Sequence, residues 1–225
     1  MGGVIHHTNS SLFNTKIKMK NIKNVLSIDL KALPIKIYET DVFLSKSELN
    51  INNKELLKHI LNYKKTSKGR NKSNPTGWQS FNLDLKDNVF IDLNKEITKN
   101  FIDYVNQISL RNDFKIQSMW ANINGYKDYN LIHSHGNAVV SGVYYLKIPK
   151  NSGNIFFVNP AIQLIETTWG NCVDKYTLQT SSSFRVAPVE GQLILFPGWL
   201  QHGVEPNLNK KEDRVSISFN IATLK

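Results

Sequence analysis

The chain lacks the features that would stabilise a secreted protein or anchor one in a membrane. Its 225 residues include a single cysteine, Cys172, so no intrachain disulfide can form, which fits a reducing compartment such as the cytoplasm. The sequence contains no apolar run of about 18 residues, the length that predicts a membrane span. Residues 1–30 also lack the shorter apolar run of a secretory signal. We therefore expect a cytoplasmic protein.

Acidic residues are scarce, and the shortage is uneven. The chain has 28 Lys and Arg against 18 Asp and Glu, a net charge of +10. Residues 1–75 hold 14 basic and 5 acidic residues, whereas the remainder holds 14 and 13. The densest basic stretch, residues 64–72, could contact nucleic acid or an acidic partner. Because only Tyr63 offers a neighbouring ring for base stacking, we favour a solvated loop and consider a nucleic-acid partner unlikely.

The order of predicted elements indicates one domain with an N-terminal extension. Residues 1–32 show no periodicity and are predicted to form a loose arm, and residues 33–225 are predicted to form a single domain. Its first part has a strand pattern at 34–44 and, as helical support over 50–110, helix patterns at 52–63 and 93–108. Short strand patterns then fill the barrel region 114–225, at 114–123, 138–148, 154–158, 184–186, 192–196 and 214–222. This order predicts a mainly β fold with flanking helices, an antiparallel sandwich or small barrel. Residues 160–183 are weakly patterned and suit a loop at the barrel mouth.

Three histidines and one arginine suggest a metal site beside an anion site. His133 and His135 are alternate residues of a predicted strand, so their side chains should share one face. His202 follows a strand that Pro197 ends, which predicts that a rim loop presents it. Three neutral imidazoles suit iron, zinc, copper or nickel. Arg214 can bind a carboxylate through two parallel hydrogen bonds. The three histidines and Arg214 together therefore predict a metal with an acidic co-substrate.

Hydroxyl side chains are predicted to complete the anion site. Strand alternation places Ser141 and Tyr145 on one face of their strand, where they can line the barrel interior. Ser216 lies on the same face of the final strand as Arg214. These three hydroxyls are candidate donors to the bound carboxylate, and the opposite face of the final strand supplies core residues.

These segments resemble the iron(II)/2-oxoglutarate-dependent oxygenases, and more closely a small family of predicted oxygenases from marine bacteria and their phages. The resemblance implies a double-stranded β-helix, a jelly-roll or cupin-like barrel, in which a His-x-Asp/Glu…His triad holds iron. It also implies a 2-oxoglutarate-dependent dioxygenase that hydroxylates its substrate and releases succinate and CO₂, in the host cytoplasm if a phage encodes it. By this resemblance His133 and His202 are metal ligands, and Arg214 with Ser216 and Tyr145 binds 2-oxoglutarate. The resembling segments are His133–His135, Ser141–Leu146, Gly191–His202 and Arg214–Asn220.

One departure from the family pattern concerns the third ligand. The position of the usual carboxylate is occupied by His135, which leaves the metal site one negative charge short. Asp128 lies upstream, but its position does not fit the motif, so His135 is the predicted ligand. Three histidine ligands could change the redox chemistry of the iron or favour another divalent metal.

Three other functions compete with this interpretation. A cupin-type metal protein of different chemistry would share the barrel, but it has no fixed need for Arg214 and Ser216. A non-catalytic binding module could use the basic N-terminal third. A nucleic-acid demethylase would carry a second arginine six residues after the first, where this chain has Asn220. None of these patterns identifies the substrate, which could be a small molecule, a protein side chain or a nucleobase.

Overall fold

The computed structural model describes residues 43–44, 49, 51–110 and 113–224. The predicted N-terminal arm and most of the predicted strand at 34–44 lie outside the described residues. No helix within the described ranges is long and apolar enough to cross a membrane.

Two long helices support one side of the sheet structure. Helix α1 (Asn53–Thr66) begins after Asn52, whose side chain accepts a hydrogen bond from the Glu55 N–H. The N–H groups of the first helical turn have no partner within the helix, and an asparagine at this position satisfies one of them. A short 3₁₀ turn, Asn88–Phe90, leads into α2 (Ile91–Gln107). Helix α1 buries two residues four apart, and α2 buries residues three and four apart, which gives each helix one apolar stripe. The two predicted helices are confirmed.

A third helix was not predicted. Helix α3 (Ile162–Trp169) lies inside the weakly patterned stretch that we expected to be a loop. It buries one residue, Ile165, and leaves Leu164 and Trp169 exposed. A single buried residue leaves too weak a periodic signal for a helix to be recognised.

Ten strands in the described ranges form two antiparallel sheets, as the mainly β prediction required. The six-stranded sheet has the order β1 (Phe43–Leu44), β8 (Leu193–Pro197), β5 (Val140–Lys147), β10 (Arg214–Thr223), β3 (Phe114–Asn124) and β2 (Trp78–Gln79). The four-stranded sheet has the order β4 (Asn130–His133), β9 (His202–Val204), β6 (Ile155–Val158) and β7 (Ser183–Val186).

Strand alternation separates two hydrophobic cores. One face of the six-stranded sheet packs against α1 and α2, and in β10 this face carries Val215, Ile217, Phe219 and Ile221. The other face packs against the four-stranded sheet through a smaller cluster that includes Tyr145 and Phe157. On this inner face β3 and β10 present polar side chains instead of apolar ones. A polar cavity therefore lies between the sheets on the side of β3 and β10.

Candidate metal centre and anion site

Pairing of two short strands brings the first and last histidines together. His133 ends β4 and His202 begins β9, and the two residues are direct partners in the antiparallel register. Directly opposed residues of antiparallel strands project from the same face. The imidazole centroids accordingly lie 4.4 Å apart. Our expectation that His202 comes from a loop was wrong, because the chain re-enters a strand after the turn at Gly198 and Trp199.

His135 reaches the cluster from a turn and not from a strand. Strand β4 ends at His133, so the predicted shared strand face is wrong for His135. The His135 N–H donates to the Gly198 carbonyl at 2.8 Å, and its own carbonyl accepts from the Ala138 N–H at 2.9 Å. These bonds place its ring centroid 5.0 Å from that of His133 and 5.2 Å from that of His202.

Two backbone carbonyls set the tautomers of the paired histidines. The Nδ1 atoms of His133 and His202 lie 2.7 and 2.9 Å from the carbonyl oxygens of Leu131 and Leu200. A carbonyl can only accept, so each neutral ring carries its proton on Nδ1 and keeps a lone pair on Nε2. A hydrogen bond from the ring nitrogen that does not bind the metal is what orients a metal-binding histidine.

Burial keeps the three imidazoles neutral. Desolvation lowers the pKa of His133, lowers that of His135 to about 4, and lowers that of His202 to about 3. Mutual repulsion between the rings adds to the shift at His135 and His202. Neutral rings are the form that binds metal, so at neutral pH no proton has to leave before an ion enters.

The donor set fits a divalent metal ion. One ligand atom from each of His133, His135 and His202 lies within 4.8 Å of the others. Three imidazoles on one side leave positions free for a co-substrate, a geometry that suits iron, nickel, copper or zinc. No acidic residue joins this cluster among the described residues. The Asp128 carboxylate instead accepts a hydrogen bond from the Gly125 N–H at 2.8 Å.

Arg214 is a buried cation on the wall of the same cavity. It is 1% exposed, and its Nη1 donates to the carbonyls of Ser152 and of Glu205, the latter at 3.1 Å. Its Nη2 is buried and has no hydrogen-bond partner. Desolvation lowers its pKa to about 10, which still leaves it charged at neutral pH. A buried unpaired guanidinium nitrogen is costly unless an acceptor such as a carboxylate meets it.

The predicted hydroxyls divide into two groups. Tyr145 and Ser216 are register partners in β5 and β10, and both line the cavity with Arg214. Burial raises the pKa of Tyr145, so its phenol stays protonated and can donate. Ser141 is buried, and its hydroxyl donates to the Asn220 side chain at 2.9 Å. It is absent from the cavity wall, so its predicted contact with a co-substrate remains a prediction without geometric support.

The sequence reasoning missed several polar residues of the cavity wall. Trp120, Asn122 and Asn124 alternate along β3 and face the cavity, while the residues between them enter the helix-side core. The Asn124 side chain donates to those of Asn74 and Asn130 at 3.1 and 3.4 Å. The period-two pattern of β3 contained this signal, since polar residues alternate there with Met119, Ala121 and Ile123.

Sequence comparison identifies the segment that contains this site. Residues 118–220 match the protein family described as "Putative 2OG-Fe(II) oxygenase". The matched segment contains all three clustered histidines and Arg214. No curated protein matches the chain.

Structure comparison identifies the fold. A prolyl-4-hydroxylase from Pseudomonas putida is 15% identical, with 83% of this chain and 94% of that chain covered and a TM-score of 0.55. HygX from Streptomyces hygroscopicus, solved with nickel and 2-oxoglutarate, is 11% identical, with 82% and 83% covered and a TM-score of 0.54. A Trichoplax adhaerens prolyl hydroxylase, solved with a hypoxia inducible factor peptide fragment, is 14% identical, with 80% and 83% covered and a TM-score of 0.54. The predicted double-stranded β-helix is confirmed.

Proposed function

The chain carries a 2-oxoglutarate–Fe(II) oxygenase domain and is an enzyme, and from this premise we propose that it hydroxylates its substrate, with succinate and CO₂ as co-products. The observation that carries the proposal is the placement of two elements in one cavity. Three neutral imidazoles converge there, and a buried guanidinium nitrogen without a partner lies on the same wall.

His133, His135 and His202 are the proposed metal ligands. The Nε2 lone pairs of His133 and His202 are fixed by the bonds to Leu131 and Leu200. The backbone of His135 is held in its turn by two hydrogen bonds. Their orientation therefore exists before the metal arrives, which lowers the entropy lost on binding.

Arg214, Tyr145 and Ser216 are the proposed site for the distal carboxylate of 2-oxoglutarate. Nη2 of Arg214 lacks an acceptor, and a carboxylate oxygen would supply one. The Tyr145 phenol is fully buried and protonated, so it can donate to the same group. With this end of the co-substrate anchored, its keto acid would extend toward the histidines.

The protein contributes positioning and exclusion of water. Fe(II) and 2-oxoglutarate, when bound with O₂, supply the oxidation of a substrate C–H bond. The apolar side chains of Val143, Ile155 and Phe196 line the cavity with the polar ones and limit the water inside it. A dry site strengthens the Arg214–carboxylate interaction, because the local dielectric constant is low.

Two of the structural relatives indicate the class of substrate. HygX has been solved with hygromycin B, and the Trichoplax prolyl hydroxylase with a peptide fragment. We therefore propose that this chain oxidises a small molecule or a protein side chain. Cys172 is free and exposed, so we place the enzyme in the cytoplasm, or in the host cytoplasm if a phage encodes it.

Calorimetry on the full chain tests the proposed function. Ni(II) should bind the purified protein, and 2-oxoglutarate should bind the Ni(II)-loaded protein far more tightly than the metal-free protein. Succinate release with Fe(II) would then establish turnover. Absence of metal binding would favour a non-catalytic module, and metal binding without 2-oxoglutarate binding would favour a cupin of other chemistry.

A further inference from the structure

The cavity has an excess of positive charge once its proposed ligands are bound. Its wall contains Arg214 and no Asp or Glu. A divalent ion and Arg214 together exceed the two charges of 2-oxoglutarate by one, because the three proposed metal ligands are neutral imidazoles. Asp128 interacts with the Arg214 charge but is not on the cavity wall. An uncompensated charge in a buried site is costly, so the site favours a further anion.

A second unpaired arginine lies beside this cavity. Arg70 is partly buried, whereas the four lysines at positions 64, 65, 68 and 72 of the same basic stretch are exposed, as the solvated-loop interpretation predicted for them. The Arg70 guanidinium carbon is 6.0 Å from the centroid of the Trp120 ring. The Trp120 ring lines the cavity, and its centroid is 5.7 Å from that of His135. One aromatic ring therefore bridges Arg70 and a proposed metal ligand.

Arg70 has N–H groups without hydrogen-bond partners. Its Nη2 donates to the Asn82 side chain at 3.3 Å, and its Nε is buried without a partner. Within the part of the chain that the structure describes, no carboxylate forms an ion pair with it. The cation–π contact with Trp120 holds the guanidinium in place without consuming its N–H groups. Its Nη1 makes no hydrogen bond within the described residues and is not among the buried atoms, so this nitrogen remains available to an anion from outside the chain.

Two unpaired amide oxygens lie on the same side. Gln79 and Asn122 are register partners in β2 and β3, so their side chains share the face that lines the cavity at Asn122. Both residues are buried, and the Oε1 of Gln79 and the Oδ1 of Asn122 lack hydrogen-bond partners. Buried acceptors of this kind require an N–H or O–H donor.

We propose that the substrate is anionic, and that Arg70, seated on Trp120, binds its carboxylate or phosphate group while an N–H or O–H group of the substrate donates to Asn122. The inference rests on the proposed function and names the substrate class for the same site. Amino acids, hydroxy acids and phosphate esters of small polar compounds satisfy this description. A neutral apolar substrate would leave both the excess charge and the Asn122 amide oxygen unsatisfied.

The test uses the full chain loaded with Ni(II) and saturated with 2-oxoglutarate. Acetate and methyl phosphate are titrated separately by calorimetry, so that the carboxylate and phosphate sources are distinguished. At least one probe should bind. Arg70→Gln should raise the dissociation constant of that probe about tenfold or more, the usual effect of losing a charge-assisted hydrogen bond. Lys72→Gln is the matched control, because it removes the same charge from an exposed neighbouring position and should change affinity little.

Two further measurements separate the possible outcomes. Arg70→Lys should retain part of the affinity for the probe that Arg70→Gln loses. His135→Asp should weaken probe binding, because it places a negative charge at the proposed metal centre. Equal affinity in wild type and Arg70→Gln, or no binding of either probe, overturns the inference. Nickel and 2-oxoglutarate titrations of the same samples are read separately. If nickel or 2-oxoglutarate does not bind, the proposed function is rejected. If both bind and neither probe does, only the anionic substrate is rejected.

Discussion

The three histidines differ in exposure and support, yet one metal should require all of them. We expect His202→Ala to abolish measurable Ni(II) binding in calorimetry, because two imidazoles bind a divalent ion much more weakly than three. His133→Ala should behave similarly. His59→Ala is the control, since His59 lies beside Asp87 and Phe90 and not on the cavity wall. Retained Ni(II) affinity in both cluster variants would contradict the assignment of these ligands.

The geometry of Arg214 predicts that lysine cannot replace it. Arg214→Lys keeps the charge but loses the planar fork, and its shorter donor cannot also bond the carbonyls of Ser152 and Glu205. We expect the dissociation constant of 2-oxoglutarate on the Ni(II)-loaded protein to rise about tenfold or more. Ni(II) affinity should stay the same. Arg185→Lys, at an exposed ion pair with Glu205, should leave both constants unchanged.

Among the connecting elements, the turn between β4 and β5 has the most direct effect on the site. The N–H of His135 donates to the carbonyl of Gly198, and a Cβ at Gly198 would overlap the carbonyl oxygen of Ala138. Gly198→Ala should therefore push the two segments apart, lower the free energy of unfolding by about 1–3 kcal/mol, and weaken Ni(II) binding. Urea denaturation and calorimetry measure the two effects.

Gly136→Ala is the matched control, placed in the β4–β5 turn on the other side of the hydrogen bond between His135 and Gly198. A Cβ at Gly136 would have no atom within 4 Å, so the substitution adds no overlap. Stability and Ni(II) affinity should both stay close to the wild-type values. Equal losses in the Gly136 and Gly198 variants would mean that neither turn tolerates a side chain, for a reason other than steric overlap.

The whole molecule should lose stability in mild acid when no metal is bound. The pKa values of His133, His135 and His202 are lowered in the folded chain, those of His135 and His202 to about 4 and about 3. Between pH 6.5 and these values the unfolded chain binds more protons than the folded chain, so stability falls as pH falls. The urea midpoint of the apoprotein should decrease from about pH 7 to about pH 5, above the range in which most carboxylates titrate.

A variant and a ligand check the origin of this pH dependence. The triple variant with His133, His135 and His202 changed to Gln should show a much flatter profile, because it lacks the titrating rings. Saturating Ni(II) should raise the midpoint at neutral pH and steepen its fall in acid, since the ion competes with protons for the same nitrogens. A flat wild-type profile over this range would contradict the lowered pKa values.

Periodicity and residue chemistry are local properties, so the class of the fold, the two supporting helices and the candidate residues His133, His135, His202 and Arg214 could be predicted from the sequence. Which residues meet depends on tertiary packing. The register that opposes His133 to His202, the turn that carries His135, and the contact between Arg70 and Trp120 all join segments distant in sequence. The unpaired Nη2 of Arg214 also became visible only there, since a missing partner is a property of the folded surroundings. Pairing over such separations depends on the packing of the whole chain, which no local pattern encodes.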